Sequence, residues 1–173
     1  MKILKVRDVK TPTRGTELSA GLDFYVPDDY EVPAGPNRVD MNPFALLGPG
    51  DSVVVPSGIK ADVPPGYALV AFDKSGVSTR KHLSVGACVV DEDYQGEIHL
   101  HVFNHGNNVE QVSAGEKLVQ FLLLPVFYAQ VEVVDELFTE ETERGEGGFG
   151  STGNGLDYEY VPEMDQTRPD EHV

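Results

Sequence analysis

A chain of 173 residues with 40% apolar content is long enough for one domain with a tail and can bury a core. Its 29 acidic residues against 13 basic ones leave a formal net charge of -16. That balance disfavours a nucleic-acid backbone as partner, since such affinity comes from clustered Lys and Arg. The single Cys88 excludes an intrachain disulfide and fits a reducing compartment.

In chain order, Met1 to Val9 is too short an apolar run, broken by Lys5, Arg7 and Asp8, for a signal peptide. No run approaches the ~20 apolar residues of a membrane span, so a soluble, cytoplasmic protein is expected. The segment Ser19-Ala20-Gly21-Leu22-Asp23-Phe24-Tyr25 reads as a strand carrying a lone carboxylate, for which a metal contact and a turn cap both fit. Residues 31–50, rich in Pro and Gly, read as a long loop or inserted arm. Strands are expected at Val53 to Val55, Tyr67 to Phe72, Ile98 to Phe103 and Val131 to Val134, each short, β-branched or alternating. Turn signals separate them at Pro49-Gly50-Asp51, Pro64-Pro65-Gly66, His105-Gly106-Asn107-Asn108 and Ala114-Gly115-Glu116. Such spacing predicts an all-β sandwich or barrel, with at most a turn of helix at Lys81 to Ala87.

Three segments carry residues suited to chemistry. Asp73-Lys74-Ser75-Gly76-Val77-Ser78 gathers a cation, hydroxyls and a glycine after a strand, as a phosphate contact or a solvated turn would. Asp91-Glu92-Asp93-Tyr94-Gln95-Gly96-Glu97 lies between the apolar runs Val85 to Val90 and Ile98 to Phe103 and reads as a hairpin tip. A carboxylate there can be held on a rigid strand end while facing a cleft, as a general base requires, although an acidic turn has the same composition. Arg144-Gly145-Glu146-Gly147-Gly148-Phe149-Gly150-Ser151-Thr152-Gly153 has glycine at five of ten positions around one Arg, one Phe and a Ser-Thr pair. Glycines let backbone N–H groups approach an anion, and the other residues suit phosphates and a flat ring. A lid over a nucleoside polyphosphate follows, with a flexible linker as the alternative. His99 and His101 share a strand face and suit a polar subunit contact better than zinc, for want of a third ligand at a diagnostic spacing. Cys88, within an apolar run, reads as a small core residue.

Together these segments resemble the deoxyuridine triphosphatase family in its homotrimeric all-β form. The five ordered motifs of that family fall at Ala20 to Asp23, Lys74 to Gly76, Gly86 to Glu97, Gly115 to Gln120 and the glycine-rich segment. The resemblance runs over about nine tenths of the chain, and five motifs in order are far more specific than any one. It implies a distorted jelly-roll or β-barrel over residues 1–143, a mobile lid at 144–153 and an acidic, disordered tail at 154–173. It also implies a homotrimer with exchanged C-terminal arms and sites between subunits.

The implied reaction is hydrolysis of dUTP to dUMP and pyrophosphate with Mg²⁺ on the triphosphate, limiting uracil in DNA and supplying dUMP for thymidylate synthesis. Asp91 matches the base that activates the attacking water. Tyr94 matches the ring that lies against deoxyribose and rejects a 2′-hydroxyl. Gly86, Val90, Glu97 and Ile98 belong to the hairpin that reads uracil, largely through the main chain. Lys74, Ser75, Gly76 and Gln120 match phosphate contacts. Arg144, Ser151 and Thr152 match a phosphate clamp and Gly150 its backbone, while Phe149 stacks on uracil. Asp23 matches a carboxylate that meets the metal through water. Lys74 stands where the family usually has Arg, giving up the planar two-pronged phosphate contact. A dCTP deaminase on the same fold is one alternative. A regulatory module is another, binding a protein partner through 31–50 or the tail.

Overall fold

The computed structural model describes residues 1–30, 44–138 and 140–148. The chain divides into two compact units, Met1–Ala129 and Gln130–Val173. Eleven strands and one helix, all in the first unit, are defined among the described residues. They are β1 (Lys2–Lys5), β2 (Leu22–Tyr25), β3 (Phe44–Leu47), β4 (Ser52–Pro56), β5 (Ile59–Asp62), β6 (Tyr67–Phe72), α1 (Ser75–Lys81), β7 (Leu83–Val85), β8 (Val89–Val90), β9 (His99–Asn104), β10 (Glu110–Ser113) and β11 (Lys117–Pro125).

Alternation at period two decides which side chains turn inward. Along β4, Val53 and Val55 are buried while Val54 faces out; along β9, Leu100, Val102 and Asn104 are buried between outward His101 and Phe103. The buried faces belong to four antiparallel sheets, a four-stranded one ordered β2-β11-β6-β8, a three-stranded one ordered β4-β9-β7, and the two-stranded pairs β1-β5 and β3-β10. Their shared core includes Phe24 and Phe121, whose ring centroids are 4.6 Å apart, with Leu69, Leu100, Val102 and Leu118. The result is an all-β, jelly-roll-like domain. Buried Asn104 is fully used: its amide donates to the carbonyls of Leu47 (2.9 Å) and Asn108 (2.8 Å) and accepts from the Gly106 N–H.

The expected turns at Gly50, Gly66 and Gly115 hold, each glycine having φ between 73° and 80°, where a side chain would be strained. Several expectations change. The helical turn lies at Ser75–Lys81, ahead of the expected 81–87, and ends on His82 in the left-handed region at φ 52°. Its last turn carries Arg80 and Lys81, which complement the carbonyl end of the helix dipole. The 31–50 region is not wholly an arm: β3 falls within it, pairs with β10 and buries Ala45 and Leu47. Residues 131–134 form no strand, and Val131 and Val133 stand 93% and 95% exposed, because no strand among the described residues pairs with them. No helix among the described residues is long and apolar enough to cross a membrane.

Candidate active site

Two groups of predicted residues form, at opposite ends of β6. The first gathers around Asp23. On the central strand β11, Gln120 stands opposite Asp23 of β2 on one side and Phe72 of β6 on the other. The Asp23 carboxylate is only 8% exposed and both its oxygens are used: Oδ1 accepts from Lys74 Nζ, and Oδ2 pairs with Lys117 Nζ at 3.1 Å. Burial works to raise its pKa, but the hydrogen bonds from Lys74 and Lys117 outweigh that and hold it below the usual carboxylate range. Lys74 sits at the N-cap of α1, with Ser75 and Gly76 in the first turn. A side chain on Gly76 would meet Arg80 at 2.7 Å.

Gln120 Nε2 donates to the Asp73 carbonyl at 2.7 Å, and its Oε1 would lie 2.3 Å from any Cβ at position 21. Glycine is therefore what lets the first motif close over Gln120. Arg14 fastens that loop by donating to the carbonyls of Ser19 and Ala20. Beside it opens a groove of about 530 Å³, lined by Ser19, Ala20, Gly21, Phe72, Asp73 and Gln120 among others.

The second group lies on an excursion from a β7-β9 hairpin. Leu83–Val85 pair with β9, and Gly86 N–H continues the ladder to the His101 carbonyl at 2.8 Å. A Cβ at Gly86 would come within 2.3 Å of His101 Nδ1, so glycine permits the departure there. The chain then crosses to the other sheet, where Val89 and Val90 pair with Val70 and Leu69 of β6. The expected continuous strand from Val85 to Val90 is thus broken at Gly86, and the segment 91–97 links two sheets instead of forming a simple hairpin tip. Cys88 is exposed, not in the core, with its carbonyl accepting from the Ala71 N–H.

Beyond Val90, Asp91 and Tyr94 are exposed. Glu92 accepts from the Gly66 N–H at 2.5 Å, which ties the turn to the start of β6. Tyr94 donates its hydroxyl to the Glu97 carbonyl at 2.9 Å. Burial works to raise the Glu97 pKa, but bonds from Arg7 and the Gly58 N–H hold it low. Ile98 is buried, and its backbone bonds to Ile59 and Ser57 re-enter the fold.

The register separates the two groups within one chain. Val90 faces Leu69, so Asp91 runs on toward Ala68, whereas Gln120 faces Phe72 from the other side of β6. Four strand positions amount to ~13 Å along the sheet. In the second unit, Arg144 donates from Nε to the Gly147 carbonyl at 2.8 Å. The predicted residues Phe149, Gly150, Ser151 and Thr152 lie outside the described residues. Sequence reasoning missed Lys117, Arg14 and Arg7. Only Lys117 had a signal, its place inside the fourth motif.

Fold and motif placement define a class: all-β, jelly-roll-like proteins with an exposed carboxylate on an excursion between two sheets and cationic and amide side chains on another edge. The dUTPase family model matches residues 7–153, and the chain belongs to that family. It is 37% identical over 143 residues to the mitochondrial deoxyuridine 5'-triphosphate nucleotidohydrolase of Homo sapiens, covering 82% of this chain but 50% of that relative. The chain thus spans half the length of the human relative. With the enzyme of the same name from Saccharomyces cerevisiae it shares 36% identity over 159 residues, covering 88% of this chain and 96% of that one. The dUTPase of Staphylococcus bacteriophage 80alpha, solved with dUPNHPP, superposes with a TM-score of 0.71 at 21% identity, covering 88% and 97% of the two chains. A dUTPase from phage phi11 of S. aureus, described with a structural Mg(II) ion, gives a TM-score of 0.63 at 18% identity over 79% and 97%.

Proposed function

We propose that this enzyme hydrolyses dUTP to dUMP and pyrophosphate in sites shared between copies of the chain. The observation that carries the shared site is the position of Asp91, at the far end of β6 from Lys74 and Gln120. A general base works at about 2.6–3.2 Å or through one water, and a register that sets Asp91 ~13 Å along the sheet from the position facing Gln120 supports a base and phosphate donors supplied by different copies. A neighbouring copy supplies the other half, in the homotrimer typical of the family. Bare apolar side chains at Val131, Val133 and Phe138, each at least 84% exposed, suit an arm laid on a neighbour.

In this site Asp91 takes a proton from a water whose oxygen attacks the α-phosphorus. The bond from that phosphorus to the bridging oxygen breaks, and pyrophosphate leaves. Lys74, Ser75, Gly76 and Gln120 hold phosphate oxygens in line for the attack. Tyr94 closes the space at C2′, while Gly86, Val90 and Ile98 present main-chain groups to uracil. Arg144 and, beyond the described residues, Phe149, Gly150, Ser151 and Thr152 cover the nucleotide. The family match extends to residue 153, which supports counting this segment with the enzyme and not as a linker.

The donor set bears on Mg²⁺. Among the described residues no three His, Cys, Asp or Glu side chains converge, and both Asp23 oxygens already hold lysines. These residues fit an ion that arrives on the triphosphate and is met by Asp23 through water. The chemistry such an ion would supply there is neutralisation of charge on the phosphates. A protein partner would meet the chain at 31–50 or the tail past Gly153, segments that fall largely outside the described residues. The cellular setting proposed is cytoplasmic. Pyrophosphate release measured side by side with dUTP, dTTP, dCTP and UTP tests the reading. Turnover of dUTP alone is expected; ammonia from dCTP would make it a deaminase.

A further inference from the structure

Tyr94 does not hold itself in place. Its ring lies over Gly96, where a Cβ would be 2.3 Å from the hydroxyl and 2.9 Å from the ring edge, and the hydroxyl reaches the Glu97 carbonyl at 2.9 Å. The position of that carbonyl depends in turn on the Glu97 side chain. Arg7 grips it with two prongs, Nε to Oε1 at 2.7 Å and Nη2 to Oε2 at 3.3 Å, and the Gly58 N–H adds a third bond to Oε1 at 2.7 Å. Arg7 is itself seated, because the preceding Val6 N–H bonds to the Gly58 carbonyl at 2.8 Å. Gly58, at φ 72°, leaves room for this: a Cβ there would lie 3.0 Å from that of Arg7 and 2.8 Å from Val9. Ile98, next in line, is pinned both ways, donating to the Ile59 carbonyl and accepting from Ser57 N–H, each at 2.9 Å.

We infer that Arg7, outside all five motifs, is a positioning residue for sugar selectivity, acting through Glu97 on the ring of Tyr94. The inference rests on the dUTPase reading and on Tyr94 facing C2′. It moves Glu97 from touching substrate to holding the residue that does. The guanidinium suits the task because its planar fork fixes a carboxylate in orientation as well as place. A ring released from its acceptor swings about two side-chain torsions and opens space for a 2′-hydroxyl, while Asp91, on the other side of the turn, keeps its tie through Glu92 to Gly66.

The test is the ratio of kcat/KM for dUTP to that for UTP, with Mg²⁺ present, in the full chain. Arg7→Met should lower that ratio by about tenfold through greater relative use of UTP, with kcat on dUTP of the same order as in the parent. Arg7→Lys should recover part of it. Tyr94→Phe, which removes only the hydroxyl, should lower the ratio similarly, and adding Arg7→Met to it should have little further effect, since both act through one contact. Should Arg7→Met not fold, Glu97→Gln carries the same expectation, because it keeps an acceptor for Gly58 while giving up the charge. An unchanged ratio in a folded Arg7→Met or Glu97→Gln protein, or full additivity with Tyr94→Phe, overturns the inference. If the parent itself shows no preference for dUTP over UTP, the functional reading fails instead, so the two failures are told apart.

Discussion

Lys74 points its ammonium at Oδ1 of Asp23, so the cation of the second motif is paired with the carboxylate of the first. Lys117 holds the other oxygen at 3.1 Å. On the proposed reading, a triphosphate that drew Lys74 away would leave the buried carboxylate a second counter-ion. Desolvating a lone charge would be far more costly than sharing one of two lysines.

This pairing predicts a pH dependence of stability. Asp23 and Glu97 both have folded-state pKa values below their ordinary ones: burial acts to raise them and the hydrogen bonds of their cationic partners prevail. A carboxylate depressed on folding contributes stability that is complete above its unfolded value, near 4, and is lost as pH falls through the folded value. The melting temperature should therefore drop steeply below about pH 4. Asp23→Asn should melt lower at neutral pH but lose less over the acid range. Parallel melting curves for parent and variant would show that Asp23 does not supply the acid sensitivity.

Asp91→Asn should fold and bind dUTP yet lose most turnover. The amide keeps size and hydrogen bonding but cannot take the proton, and general-base contributions are typically ~10²–10⁴-fold. Binding by calorimetry and single-turnover rates check both halves. Near-parental turnover would remove Asp91 from that role.

Ending the chain before Arg144 should leave a folded protein of low activity, because the strands end at Pro125 and the first unit at Ala129. Ending it after Gly153 should preserve activity, since the family match stops there. Equal rates of dUTP hydrolysis by the two truncations would return the glycine-rich segment to a linker.

How much of this was legible in the sequence varies with how local the cause is. The strand at Tyr67 to Phe72 was read with its observed bounds because alternation and flanking turn residues are local. Val131 to Val134 has the same local look but gains no pairing partner. Phe44–Leu47 was hidden among prolines and glycines, and its strand exists because β10 pairs with it. Cys88 looked internal because its neighbours are apolar, yet β8 is only two residues long and buries Val90 alone. The motif residues were readable as a set. Their division into two groups follows from β8 pairing with β6 while β9 pairs with β4 and β7, a crossing that no window of sequence displays. Arg7 was invisible for the same reason, its partner Glu97 lying ninety positions away.

The central claim, a site completed by two copies, is tested most directly by mixing two inactive variants. Asp91→Asn lacks the base but keeps the phosphate donors; Lys74→Ala keeps the base, and Lys117 still serves its Asp23. Each alone should be nearly inactive. After co-refolding in equal amounts, about a quarter of the sites in a symmetric assembly should join an intact Asp91 to a neighbour's intact Lys74, restoring dUTP hydrolysis in that proportion. If the mixture is no more active than its separate components, Asp91 and Lys74 of one chain serve the same nucleotide, and the shared site is wrong.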